Sequence, residues 1–146
     1  MTQMMKLSTE DGHTLDAAVA GDPSTAHGGV VVLQEIFGLN AHIRSLPERF
    51  AEAGYYAVAP ALFDRAERGV ELGYDAEGRE RGIALKNAVD DDAIFDVTAA
   101  ISAAAAAGTV TVVGFCWGGS LAWRAATCLT GPVSYTHLRA HETSPH

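Results

Sequence analysis

Apolar positions along the chain repeat first at a spacing of two and then, by turns, at three to four. "TLDAAVAG" (14–21) alternates and "GGVVVLQEI" (28–36) is a Val-rich run, so both read as strands, the second buried on both faces. After Gly38 the period changes. In "NAHIRSLPERFAEAG" (40–54), Ile43, Leu46 and Phe50 recur at three and four, with Asn40 in a cap position and Gly54 as terminator. That pattern predicts an amphipathic helix, which Pro47 either kinks or opens.

"YYAVAPALF" (55–63) predicts a further strand ending near Pro60. Residues 64–82 are polar and Gly-rich without a clear period, and read as a loop region with room for a short helix. "DDDAIFDVTAAISAAAAAG" (90–108) predicts a helix, because acids occupy its first turn, where the dipole favours them, and Gly108 stops it. A strand over 109–114, a tight turn and a helix from about 117 to 129 follow. This order predicts an α/β fold, a mostly parallel sheet with helices on both faces. Function in such sheets sits at the carboxyl ends of the strands.

The last fifteen residues, "PVSYTHLRAHETSPH" (132–146), break the pattern. They hold three of the six histidines and show no strand or helix period where the next strand of an α/β chain is due. They read as a non-native tail, translated through a sequencing-library adapter, and the domain is expected to occupy residues 1–131, truncated after the last helix.

A length of 146 residues suits one domain, and 48% hydrophobic with 19% charged residues is the composition of a globular one. The net charge of −8, with only 10 Lys and Arg, argues against a nucleic-acid partner. No apolar run approaches the roughly 18 residues that span a bilayer, which argues against a membrane partner. Two cysteines make no disulfide framework and the N-terminus has no export signal, so a reducing cytoplasm is expected.

The candidate chemistry lies in "GFCWGG" (114–119). It has the layout of a nucleophile elbow, G-x-S-x-G, with Cys116 in the serine position and glycines where side chains would clash with neighbouring elements. The helix start after it favours a thiolate, and the Trp117 N–H can point at a developing oxyanion. The alternative is a buried core cysteine on an ordinary tight turn. Glu35, at the end of a buried strand, is a carboxylate that needs a partner or a task; the alternatives are a solvated strand-end acid or a helix-cap acceptor.

"QEIFGLN" (34–40) and "GFCWGG", with "GYYAVAPALFDR" (54–65) between them, resemble the dienelactone hydrolase family, cysteine-dependent members of the α/β-hydrolase fold. The resemblance covers nearly all of residues 7–131. It implies hydrolysis of ester or lactone bonds, in small-molecule substrates, through an acyl-enzyme, with no metal or organic cofactor. It implies that Cys116 is the nucleophile, that Glu35 contacts it and helps control its ionisation, and that the Ile36 and Trp117 N–H groups form the oxyanion hole. Arg81 or Arg79, in "EGRERG" (77–82), is a loose match to the family arginine that binds a substrate carboxylate; Arg65 and Tyr74 are weaker candidates.

In this fold the triad acid and histidine follow the nucleophile, in chains of roughly 200–250 residues. Neither is present before residue 132. His137 and His141 are spaced like metal ligands but fall in the tail, and His13 and His42 read as surface residues. A catalytically incomplete fragment with an exposed sheet edge is therefore a second expectation. A third is a thiol-redox pair of Cys116 and Cys128, although Cys128 reads more simply as an inert helix-face thiol.

Overall fold

The computed structural model describes residues 2–128, and residues 133–138 as backbone alone. Its strands are β1 (Gln3–Ser8), β2 (Thr14–Ala20), β3 (Gly29–Leu33), β4 (Tyr56–Pro60), β5 (Val110–Phe115) and β6 (Val133–Leu138). The helices are α1 (Ala41–Glu52), α2 (Ala76–Val89), α3 (Ala93–Ala104) and α4 (Trp117–Cys128). The strands form one mixed sheet in the order β1-β2-β4-β3-β5-β6. β1 and β2 are antiparallel, β2 meets β4 antiparallel, and β4, β3, β5 and β6 run parallel.

Strict alternation along the central strands sorts the core into two layers. Val31 and Leu33 of β3, Val58 of β4 and Val112 of β5 face one layer, where Val97 and Ala100 of α3 and Leu121 of α4 cover them. Val30 and Val32, Ala57 and Ala59, and Val113 face the other, where Ile43 and Leu46 of α1 pack. Helices thus lie on both faces, as the pattern predicts. Among the described residues no helix is long and apolar enough to cross a membrane.

Several expectations need correction. β1 has no clear signal in the sequence; it is held by pairing with β2. The 64–82 stretch holds more than the short helix it has room for: a 3₁₀ turn spans Leu62–Arg65 and the longer α2 starts at Ala76, capped by Asp75, whose carboxylate accepts from the Gly78 N–H at 2.7 Å. Its buried positions are Gly78, Gly82 and Val89, too little apolar surface to print a helical period. The acids at 90–92 precede α3: Asp90 ends α2, Asp92 is the cap residue of α3, and Asp96 alone lies in its first turn.

Pro47 is buried inside α1, whose cap is Asn40 as expected. The tail also departs from the reading that it has no strand. Val133–Leu138 pairs in parallel along the whole of β5. An edge strand offers a row of unpaired N–H and C=O groups, and chain returning past α4 satisfies them whatever its side-chain pattern.

From β3 the chain crosses to β4 on one side, and from β4 it returns to β5 on the other. The carboxyl ends of β3 and β5 therefore flank the point where the connections diverge, the place in an open α/β sheet where a crevice forms.

Candidate active site

β5 pairs with β3 so that Gly114 stands opposite Leu33. Glu35 and Ile36 follow the end of β3, and Cys116 and Trp117 follow the end of β5, at the carboxyl ends of neighbouring parallel strands. The loop after β3 and the corner after β5 thus lie at one end of adjacent strands, and Ile36 and Trp117 meet in one cleft.

Cys116 has φ +54°, the single positive value among described residues other than glycine, and its side chain is exposed. It is not a core cysteine. Left-handed backbone costs an L-residue about 1–2 kcal/mol, and here it turns strand into helix within one residue. The Ser120 N–H closes the turn on the Cys116 carbonyl at 3.2 Å. Glycine is required on both sides: a Cβ at Gly114 would lie 2.0 Å from the Gly118 carbonyl oxygen, and one at Gly118 would lie 2.4 Å from that of Leu33. The start of α4 consequently rests directly on the end of β3.

The Ile36 and Trp117 amides donate to no protein group among the described residues. Both residues line a cleft of about 430 Å³ between α2 and α4, together with Arg79, Lys86 and Arg124. The Trp117 indole stacks on Phe63 with ring centroids 5.4 Å apart and donates its Nε1–H to Asp90 Oδ1 at 2.9 Å. Arg124 binds the same residue twice, at 2.7 Å to the backbone carbonyl and 3.1 Å to Oδ1. Partial burial works against the Asp90 carboxylate, but the indole N–H and the Arg124 and Lys86 charges outweigh it and hold its pKa below the ordinary value.

Glu35 is half-buried, and β3 ends two residues before it. Its Oε1 accepts from the Tyr74 hydroxyl at 2.9 Å, and that hydroxyl accepts from Asn40 Nδ2 at 3.0 Å. Partial burial of the hydroxyl, with the carboxylate beside it, pushes the Tyr74 pKa up against the opposing Asn40 bond. The Cys116 thiol has no hydrogen-bond partner among the described residues, and the Glu35 carboxylate is held by Tyr74. Gln34, the residue before Glu35, is fully buried, and its Oε1 accepts from the Leu62 N–H at 2.9 Å.

The two candidate arginines are separated by the helix that carries them. Arg79 faces the cleft with Ile36 and Trp117, whereas Arg81, two residues on, points away and pairs with Glu67. Arg65 is committed elsewhere, between Asp11 (2.7 Å) and the fully buried Asp96 (2.8 Å). His42 is exposed as expected, but His13 is not a plain surface residue, since its Nε2 is buried without a partner. The side chain of His137 and the whole of His141 lie outside the described residues. Cys116 and Cys128 are separated by the whole of α4, about 18 Å of helix, beyond the roughly 7 Å reach of a disulfide. No group of three or more metal-ligating side chains occurs among the described residues.

Asp90 lines the same cleft and is not singled out in the sequence, because it stands in a run of acids between α2 and α3. Tyr74 is a weak candidate on sequence alone, and nothing in the sequence ties it to Glu35.

The sequence profile of the dienelactone hydrolase family matches residues 15–136. The chain belongs to the dienelactone hydrolase family. The match spans both motifs from which the resemblance is read. The carboxymethylenebutenolidase of Pseudomonas putida is 38% identical over 133 residues, which cover 86% of this chain and 56% of that protein. Carboxymethylenebutenolidase 1 of Cupriavidus pinatubonensis is 38% identical over 116 residues, covering 75% and 50%. The chain thus spans about half the length of these relatives. Among solved structures, a dienelactone hydrolase-like promiscuous phosphotriesterase from metagenomic libraries aligns with TM-score 0.63 at 24% identity, over 93% of this chain and 59% of that one. At that identity the likeness speaks for the α/β-hydrolase fold alone.

Proposed function

We propose that this dienelactone hydrolase family member cleaves ester or lactone bonds through Cys116. The thiolate attacks the substrate carbonyl carbon, and the oxyanion that forms is held by the Ile36 and Trp117 N–H groups. Collapse breaks the C–O bond, releases the alkoxide leaving group and leaves a thioester on Cys116. The observation that carries this reading is an exposed cysteine at φ +54°, on a strand-to-helix corner whose flanking glycines have no room for a Cβ. Glu35, in the loop after the strand next to β5 and held by Tyr74, is the carboxylate that adjusts thiol ionisation. Arg79, on the cleft wall, binds a substrate carboxylate.

Water must then cleave the thioester, which in this fold needs an acid and a histidine placed later in the chain than the nucleophile. Acylation of Cys116 precedes that step and can be read by itself. Mixing the chain with p-nitrophenyl acetate tests this. One equivalent of p-nitrophenolate is expected in a burst, and none from Cys116→Ala. An equal burst from Cys116→Ala would overturn the assignment.

A further inference from the structure

Helix α2 touches both halves of the proposed oxyanion hole. At its middle, Gly82 lies against the Ile36 peptide so closely that a Cβ would meet the Ile36 carbonyl oxygen at 2.0 Å. At its end, Asp90 accepts from the Trp117 indole at 2.9 Å and from Arg124, seven residues further along α4, at 3.1 Å. Phe63 closes one face of the indole. Trp117 is 6% exposed, and its indole is held between the Phe63 ring and the Asp90 carboxylate. Because the same residue supplies the amide that faces the oxyanion, holding the indole holds the amide.

We infer that Asp90 is a positioning residue, one that sets the Trp117 N–H at its working distance from the Ile36 N–H by clamping the Trp117 indole and Arg124 to the end of α2. The inference rests on the ester-cleavage reading above. It assigns to the tryptophan of "GFCWGG" a task that the elbow motif leaves open, since the motif accepts any residue there.

The test compares two reactions of the same thiol in the full chain, in a Cys128→Ser background. Acylation by p-nitrophenyl acetate forms the C–S bond, passes through an oxyanion and expels p-nitrophenolate. Alkylation by iodoacetamide displaces iodide from a saturated carbon and builds no oxyanion. The ratio of the two rates therefore isolates the oxyanion hole from thiol reactivity and from folding. Loss of one oxyanion donor typically lowers rates by about 10²–10³. Asp90→Ala, which misplaces a donor without removing it, should lower the ratio by about tenfold or more and leave alkylation within about twofold of wild type.

Trp117→Phe keeps the ring on Phe63 but has no N–H for Asp90, so it should show a similar loss, and adding Asp90→Ala should deepen it little. Asp90→Asn retains an oxygen acceptor and should recover much of the ratio. An unchanged ratio in Asp90→Ala, or an effect of equal size in the Trp117→Phe background, would overturn the inference while leaving the ester-cleavage reading intact. A wild-type Cys116 that alkylates but does not acylate would overturn that reading, and this inference with it.

Discussion

Replacing Gly118 with alanine puts one methyl group where the start of α4 meets the end of β3. The added Cβ would lie 2.4 Å from the Leu33 oxygen and 2.6 Å from the Gln34 oxygen, both backbone atoms that cannot swing aside. Restoring an ordinary contact of 3.4 Å requires the helix start to retreat by about 1 Å. Overpacking of this kind costs about 1–3 kcal/mol, and alanine returns up to about 1 kcal/mol through its better helix propensity. Stability should therefore fall by only about 1–2 kcal/mol in urea unfolding. The effect on chemistry should be larger, because the retreat moves the Trp117 amide away from the Ile36 amide, and a misplacement of about 1 Å can cost about 10²-fold. The assay is the acylation burst with p-nitrophenyl acetate, normalised to iodoacetamide alkylation. Gly12→Ala is the control: φ is +85° there with nothing within 4 Å, so about 1–2 kcal/mol of backbone strain should appear with no change in acylation. Full acylation by Gly118→Ala, or an equal loss in Gly12→Ala, would refute the reasoning.

Three further outcomes are expected. The Asp11 carboxyl is held down to about 2 by bonds from Arg65 and then from Thr9, so it stabilises the fold above the ordinary 3.8 and that stabilisation is lost as pH falls through about 2; urea unfolding of Asp11→Asn should show a shallower loss over that interval. Arg79→Gln should slow uptake of mono-p-nitrophenyl succinate relative to the neutral acetate by about tenfold, the worth of one charge-assisted hydrogen bond, whereas Arg81→Gln should leave the ratio of rates unchanged. Asn40→Ala removes the acceptor for the Ile43 N–H at 3.0 Å and should destabilise the protein by about 1 kcal/mol in denaturant unfolding.

The parts of the fold legible in the sequence are those where burial imposes a period. β3 and β5 read as strands because both of their faces are covered, and α1 reads as a helix because one stripe, from Ile43 to Leu46, packs on the sheet. α2 was not legible because its contacts are made through glycine: Gly82 lies on the Ile36 carbonyl, and the approach demands the absence of a side chain. β1 and β6 are edge strands whose pairing is a matter of backbone bonds, which leave no mark on residue type. At the site, Cys116 and its glycines were visible because a strained corner admits few residues. Glu35 was visible as an acid at a buried strand end. Its tie to Tyr74, thirty-nine residues away, and the tie of Asp90 to Trp117 depend on tertiary placement, and neither residue type is restricted enough to betray it.

The central claim, that the corner and not the thiol alone makes Cys116 a nucleophile, has an internal control in Cys128, which is also exposed but stands at the far end of α4. The most direct test is peptide-level mass spectrometry of the full chain after brief exposure to p-nitrophenyl acetate. The account predicts the acyl group on Cys116, with Cys128 labelled at least about a hundredfold more slowly, in keeping with the worth of an oxyanion hole. Equal labelling of the two cysteines would contradict it.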